Sequence, residues 1–231
     1  YVNDGLHKIA AAHPQRFSPL PHLPLQEPAL AAEIARHVIA RGHNRFAAPS
    51  GGNGDQVLSD PAFAPLWRAL DAARAFVFFH PGECADGRLD AFYLSNLVGN
   101  PYESAVALSH LVFGGVLESY PAIRFCFAHG GGALPMLAGR LEQGFATARP
   151  GIRIGGRSPR TLLKSICVDC IVHDELALAL SEHVFGSEHV VFGSDWPFPM
   201  GVLKPHQQIA DAARRRRIFC DNPDRLKKET T

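Results

Sequence analysis

The sequence predicts an α/β fold built on a parallel sheet. Two observations carry this reading. Short apolar runs alternate with amphipathic helical stretches along the chain. The central runs, AFVFFHP (75–81) and IRFCFAHGGG (123–132), are apolar on both faces, as strands covered by helices on each side must be. Repeated strand–helix units imply right-handed crossovers between parallel neighbours. Six such units suit either an open doubly wound sheet or most of an eight-stranded barrel.

The apolar runs, taken in order, are Phe17–Leu23, Arg45–Ala48, Phe76–Phe79, Ile123–Ala128, Ile166–Val168 and Val190–Phe192. Helical patterns lie between them over Ala29–Arg41, Pro61–Ala73, Pro101–Ser119, Ala133–Phe145, Glu175–Val184 and His206–Arg216. Asp60-Pro61 reads as an N-cap followed by a first-turn proline. Asn100-Pro101-Tyr102-Glu103 reads the same way and places a glutamate at N3, close to a capping box. The glycine-rich SGGNGD (50–55) lacks the Lys-Ser/Thr of a phosphate loop and opens no helix, so it reads as a βα loop; no G-x-G-x-x-G follows the first run.

Composition bounds the rest. The chain has 231 residues, 46% hydrophobic and 19% charged, with a formal net charge of +1. That is ordinary globular composition, enough for one large core, and residues 1–231 read as one domain. Near-neutral charge offers no bulk attraction to nucleic acid or anionic membrane. No apolar run reaches the roughly 18 residues of a membrane span. No leader pattern stands out, and the first residue is Tyr1, so a preceding segment is expected. Five cysteines, an odd number with three inside apolar runs, read as reduced thiols in a cytoplasmic protein.

Three runs end in a residue able to bind metal or move protons. Phe76–Phe79 ends in His80, Ile123–Ala128 in His129 before three glycines, and Val190–Phe192 leads through Gly193-Ser194 to Asp195. Taken singly, each reads as an ordinary packed, capping or turn residue. Together they occupy the same end of three different strands, which in a barrel is the mouth where active sites sit. Neutral imidazole and carboxylate suit a zinc-type cation, and such a cation lowers the pKa of bound water to roughly 7. A mouth histidine outside the ligand set serves as general acid or base.

Other candidates read as structural. Cys167 and Cys170 fall on opposite faces of a strand. Arg214–Arg217 is a short basic run at a helix C-terminus, where cations are favoured. His110 lies within an apolar helix, and Glu83 reads as a solvated loop residue. Asp169, between the two cysteines, could point into the mouth. Trp196, Pro197 and Pro199 would wall the site and hold the direction of Asp195, while Gly193 lets the backbone approach closely.

At these residues the sequence resembles the amidohydrolase-related metal-dependent enzymes, and most nearly the aminocarboxymuconate-semialdehyde decarboxylase group. FFHPGE, FAHGGGALPMLAGRLEQG, FGSDWPFPMG, the segment 96–121 and the closing CDNPDRL carry the resemblance. It implies a (β/α)8 TIM barrel whose strands one and two are not represented in this sequence, the six runs then being strands three to eight. It implies that His80 and Asp195 are metal ligands and that His129 and Asp195 are catalytic, acting on metal-activated water. It implies that Arg140 binds a substrate carboxylate across a dimer interface. The implied activity is non-oxidative decarboxylation of a small carboxylated aromatic or ring-cleavage product. A lactonase-like hydrolase or hydratase on the same site, or a catalytically decayed barrel, are the alternatives. The implied cofactor is a divalent metal, zinc with manganese as alternative, and the implied assembly is a homodimer or higher homo-oligomer with no nucleic-acid or membrane partner. One departure stands out. The family's strand-one His-x-His pair is not in this sequence: His7, His13, His22, His37 and His43 have neither that spacing nor a strand end before them. A missing N-terminal segment is the expectation, because the other site residues are intact.

Overall fold

The computed structural model describes residues 2–52 and 55–229. Asn53 and Gly54 of the glycine-rich loop lie outside the described residues. Five parallel strands form one sheet in sequence order: β1 (Arg45–Pro49), β2 (Phe76–His80), β3 (Arg124–Phe127), β4 (Cys167–Asp169) and β5 (Val190–Val191). The helices are α1 (Val2–Ala12), α2 (Pro28–Ala40), α3 (Ala64–Ala72), α4 (Asn100–Phe113), α5 (Val116–Ser119), α6 (Leu134–Ala146), α7 (Pro159–Leu163), α8 (Glu175–Phe185), α9 (Pro205–Gln208), α10 (Ala212–Arg216) and α11 (Asn222–Glu229). Strict sequence order with a helix between each strand pair is the winding of a barrel. A doubly wound sheet would reverse its strand order part-way.

β3 and β4 bury nearly every residue, as expected, whereas β1 and β2 bury alternate residues and leave the others, Phe76 and Phe78 among them, half-buried. Phe46, Val77, Phe79, Phe125, Phe127 and Val168 are fully or almost fully buried. Phe79 and Phe127 stack across neighbouring strands, ring centroids 4.8 Å apart and planes 8° apart. Burying one such side chain is worth about 1.5–3 kcal/mol. The register sets the site. Pro49 pairs with His80, Phe79 with Phe127, and Asp169 with Val191, so the C-terminal ends of all five strands open on one mouth.

Several predicted elements change. The run Phe17–Leu23 contributes only an isolated parallel bridge, His22 to Ala47. Pro19, Pro21 and Pro24 remove the donors a longer ladder needs. The single helix predicted over Pro101–Ser119 is broken at Gly114-Gly115, where Gly115 turns left-handed at φ 74°. Asn100 is not an N-cap. A π-helical turn over Ser95–Gly99 runs straight into α4, Asn100 has helical φ −59° and ψ −49°, and its N–H donates to the Ser95 carbonyl. The helix predicted over His206–Arg216 is also two: Ile209 is extended, and the Asp211 side chain accepts from Arg214 N (2.6 Å) to start α10. The Asp60 cap is present, its carboxylate accepting from Ala62 N at 2.8 Å, though the first turn is 3₁₀ (Pro61–Phe63) before α3.

The basic run is consumed inside the fold. Arg214 and Arg217 both reach Glu182 at 2.9 Å, Arg215 donates to the Ile209 carbonyl (2.7 Å), and Arg216 pairs with Asp221. No helix among the described residues is long and apolar enough to cross a membrane.

Candidate metal centre

His80, the last residue of β2, and His129, one residue past the β3–β2 bond from Ala128 N to Phe79 O (2.9 Å), sit side by side. Their ring centroids are 5.0 Å apart in a T-shaped contact. Asp195 reaches both from beyond β5. Its Oδ1 is 3.5 Å from His80 Nε2 and its Oδ2 is 3.8 Å from His129 Nε2. One ligand atom from each of the three lies within 4.8 Å of the other two. The structure thus brings together His80, His129 and Asp195.

Two of the three are held in backbone conformations that L-residues avoid. His129 has φ 56° and Asp195 φ 51°, each costing about 1–2 kcal/mol. Such strain persists only where the surroundings over-determine it, and it clusters at functional sites. The glycines after His129 make its turn possible, since Gly130, Gly131 and Gly132 all have positive φ.

Hydrogen bonding prepares His80 for a cation. Its Nδ1 donates to the Pro81 carbonyl at 2.9 Å. The proton on Nδ1 leaves Nε2 as the lone-pair atom, the arrangement metal-bound imidazoles use. That Nε2 is buried and has no hydrogen-bond partner among the described residues. An orphaned buried acceptor facing a carboxylate and a second imidazole fits a divalent cation.

Electrostatics separate the other groups. Burial, then the neighbouring His80, hold the His129 imidazole below its ordinary pKa, against the opposing pull of Asp195. His129 is therefore biased neutral, as a proton acceptor requires. Asp169, at the end of β4, is pushed up to about 7 by burial, with the Asp195 charge adding to it and backbone N–H donors opposing.

The three residues line a cavity of about 630 Å³. Its apolar wall includes Leu97, Met136, Phe198 and Met200; Phe198 lies near parallel to the His80 ring, 6.2 Å away with 19° between planes. Its polar wall includes Tyr93, Asn96, Asn100 and His173. Neither Asn96 nor Asn100 spends its side-chain amide on another described residue. No lysine or arginine is among the described residues that line it. A second cavity, about 640 Å³, shares Val172 and His173 with the first but none of the three clustered residues.

Other predicted residues fall differently. Arg140 is exposed on α6 and is not among the residues lining the cavity. Trp196 does not wall the site: it is 70% exposed, and Phe198 and Met200 take that place, because the turn closed by Phe198 N to Asp195 O (2.9 Å) swings the chain back. Glu83 is an exposed loop residue. His110 packs against Ser59, Nδ1 to Oγ 2.8 Å. Cys167 sits opposite Cys126 in the β3–β4 register, while Cys170 Sγ points to the Gly193 carbonyl at 3.9 Å; the two share no site. The residues missed in the sequence are Asn96, Asn100 and His173. In the sequence Asn100 reads as an N-cap and Asn96 only opens the segment 96–121, and His173 carries no signal there.

The amidohydrolase family model matches residues 3–226. This chain belongs to the amidohydrolase family. Among curated relatives, the 2-amino-3-carboxymuconate-6-semialdehyde decarboxylase of Dictyostelium discoideum is 36% identical over 213 residues, covering 90% of this chain. The amidohydrolase chain spans 59% of the length of that relative. Among solved structures, 5-carboxyvanillate decarboxylase from Sphingomonas paucimobilis superposes with a TM-score of 0.85 at 22% identity, over 98% of this chain and 71% of that one. Dihydroxybenzoic acid decarboxylase from a Polaromonas species, solved with bound manganese and the inhibitor 2-nitroresorcinol, gives 0.83 at 21% identity, over 100% and 74%. These likenesses share the barrel fold, so the five strands and the His22 bridge are an arc of a (β/α)8 barrel.

Proposed function

We propose that this amidohydrolase-family chain carries the reaction centre of a metal-dependent, non-oxidative decarboxylase acting on a small carboxylated aromatic or ring-cleavage product. The observation that carries the reading is the convergence of His80, His129 and Asp195 on a cavity with an aromatic wall, with His80 Nε2 buried and unpartnered among the described residues. The 36% identical decarboxylase relative supports the choice of reaction.

His80 Nε2 and the Asp195 carboxylate would hold a divalent metal. Zinc suits an imidazole and a carboxylate donor, and manganese is the alternative, supported by the manganese-containing Polaromonas structure. When bound, the cation supplies positive charge against the negative charge that develops as carbon dioxide departs. Phe198 and Leu97, half-exposed on the cavity wall, offer apolar surface to the substrate ring. Loss of carbon dioxide breaks one carbon–carbon bond and leaves a carbon that must gain a proton. His129, biased neutral and backed by Asp195, would take a proton from solvent or a substrate hydroxyl at Nε2 and deliver it to that carbon, ending neutral again. With no cationic side chain lining the cavity among the described residues, Arg140 acts on the substrate carboxylate from a second copy, which makes the working assembly a homodimer or larger. Five free thiols suit a reducing compartment, and we assign the protein to the cytoplasm.

The test is an assay of the full-length protein, manganese- and zinc-loaded in parallel, on carboxyl-labelled hydroxybenzoates and muconate semialdehydes. Labelled carbon dioxide, lost on chelation and restored by metal, is the expected result. Ring opening or lactone hydrolysis without carbon dioxide would replace decarboxylation with a hydrolytic activity.

A further inference from the structure

We propose that Asp169 is the positioning residue of this centre: its buried carboxyl fixes the two strand ends that present His129 and Asp195. The inference rests on the reading of His80, His129 and Asp195 as the reaction centre. Asp169 itself is not among the residues lining the cavity, so it acts through others.

The geometry is a clamp. Asp169 ends β4, the strand between the one that leads to His129 and the one that leads to Asp195. One oxygen, Oδ1, accepts from Gly130 N at 3.2 Å and from Ile171 N at 3.0 Å. Gly130 directly follows His129. Its carbonyl is met from the other side by the buried Ser181 hydroxyl at 3.2 Å, which shares its proton with the Ala177 carbonyl at 3.1 Å. Gly130 is thus tied at both its N–H and its carbonyl, beside His129 at φ 56° and with its own φ at 61°. The remainder of the carboxyl faces β5. A Cβ on Gly193 would come 2.8 Å from Asp169 Cβ and 2.9 Å from Oδ2. The carboxyl occupies the space where residue 193 would carry a side chain, so the turn that delivers Asp195, two residues on, packs directly against it. One side chain therefore registers both reacting groups against each other. A carboxylate used only to fill the core would not need an acceptor oxygen shared between two backbone donors.

The role differs from that of a ligand and makes a distinct demand. Asparagine supplies the same acceptor oxygen; alanine supplies none. In the full-length, manganese-loaded protein, Asp169→Asn is expected to keep the manganese Kd and kcat within about threefold, since the amide oxygen accepts from the same two backbone N–H groups. Asp169→Ala is expected to weaken manganese binding by about 10–100-fold, the usual effect of losing a group that orients ligands. It is also expected to lower kcat with KM within about threefold, because substrate still meets an unchanged cavity wall. Amide exchange at Gly130 reports the tie without metal or substrate, protected in the asparagine variant and fast in the alanine variant. A folded Asp169→Ala protein with the parent manganese Kd and kcat overturns the proposal, as does an asparagine variant as impaired as the alanine one. If Asp169→Ala fails to fold, Ser181→Ala decides through Gly130 amide exchange in the metal-free protein, because Ser181 also lines the cavity: faster exchange supports the clamp, and parental exchange overturns it. If the parent releases no carbon dioxide from any aromatic carboxylate, the assigned reaction fails, while manganese Kd and Gly130 exchange still test the clamp.

Discussion

His80 Nε2 and Asp195 Oδ1 stand 3.5 Å apart at the mouth of the barrel, the nitrogen buried and without a hydrogen bond among the described residues. Two acceptors so close, with no proton between them, are stabilised by a shared cation. His80→Ala and Asp195→Ala are therefore each expected to strip the metal from protein passed through a desalting column, with carbon dioxide release falling to background. Plasma mass spectrometry on the same fractions checks the metal.

His129 is expected to behave differently. If it moves the proton rather than holding the cation, His129→Asn keeps one metal per chain and loses about 10²–10⁴ in kcat, the usual contribution of a general acid–base. Single-turnover kinetics with metal content measured on each sample separates this from ligand loss.

Asn96 and Asn100 offer free amides to the cavity. An amide both donates and accepts, which suits a ring hydroxyl or a carbonyl better than a second carboxylate. Asn100→Ala and Asn96→Ala are each expected to raise KM by about 2–10-fold, the worth of one neutral hydrogen bond, with metal content unchanged. Steady-state kinetics on hydroxylated substrates and their dehydroxylated analogues gives the check: the analogues should show no loss.

The barrel was legible in its strands and less so in its helices. Ile123–Ala128 announces itself because nearly every position is buried and apolar, and Phe76–Phe79 because Val77 and Phe79 are buried while Phe76 and Phe78 are apolar though half-buried. The three residues that the structure brings together were legible because His80 and His129 directly end apolar runs and Asp195 follows one through Gly193-Ser194. Phe17–Leu23 looked like a strand by composition, yet its prolines cannot donate to a ladder, and only His22 bridges. α1 was not singled out: Leu6, Ile9 and Ala10 recur at helical spacing, but none of its residues is buried. Asp169 was visible only as a polar residue between two cysteines. Its importance lies in which backbone amides it meets, and those come from residues 130 and 171, a relationship no spacing encodes.

Acid stability offers a test away from the site. Burial lowers the pKa of His110 below its ordinary 6.5, and burial does the same to His22. Below pH 6.5 the unfolded chain takes up these protons before the folded one does, so stability is lost as pH falls from 6.5 toward the folded values and is unaffected above it. His110→Gln is expected to show a shallower decline of Tm over that window and the parent slope above it. Equal slopes below pH 6.5 would remove His110 from the account.

The most direct measurement is anomalous diffraction from manganese-loaded crystals of the full-length protein, collected on the low-energy side and at the peak of the manganese edge. A single peak per chain within bonding distance of His80 Nε2 and an Asp195 oxygen is the result this account predicts. A peak elsewhere, or none while the protein still releases carbon dioxide, would contradict it and place the chemistry outside the three strand ends.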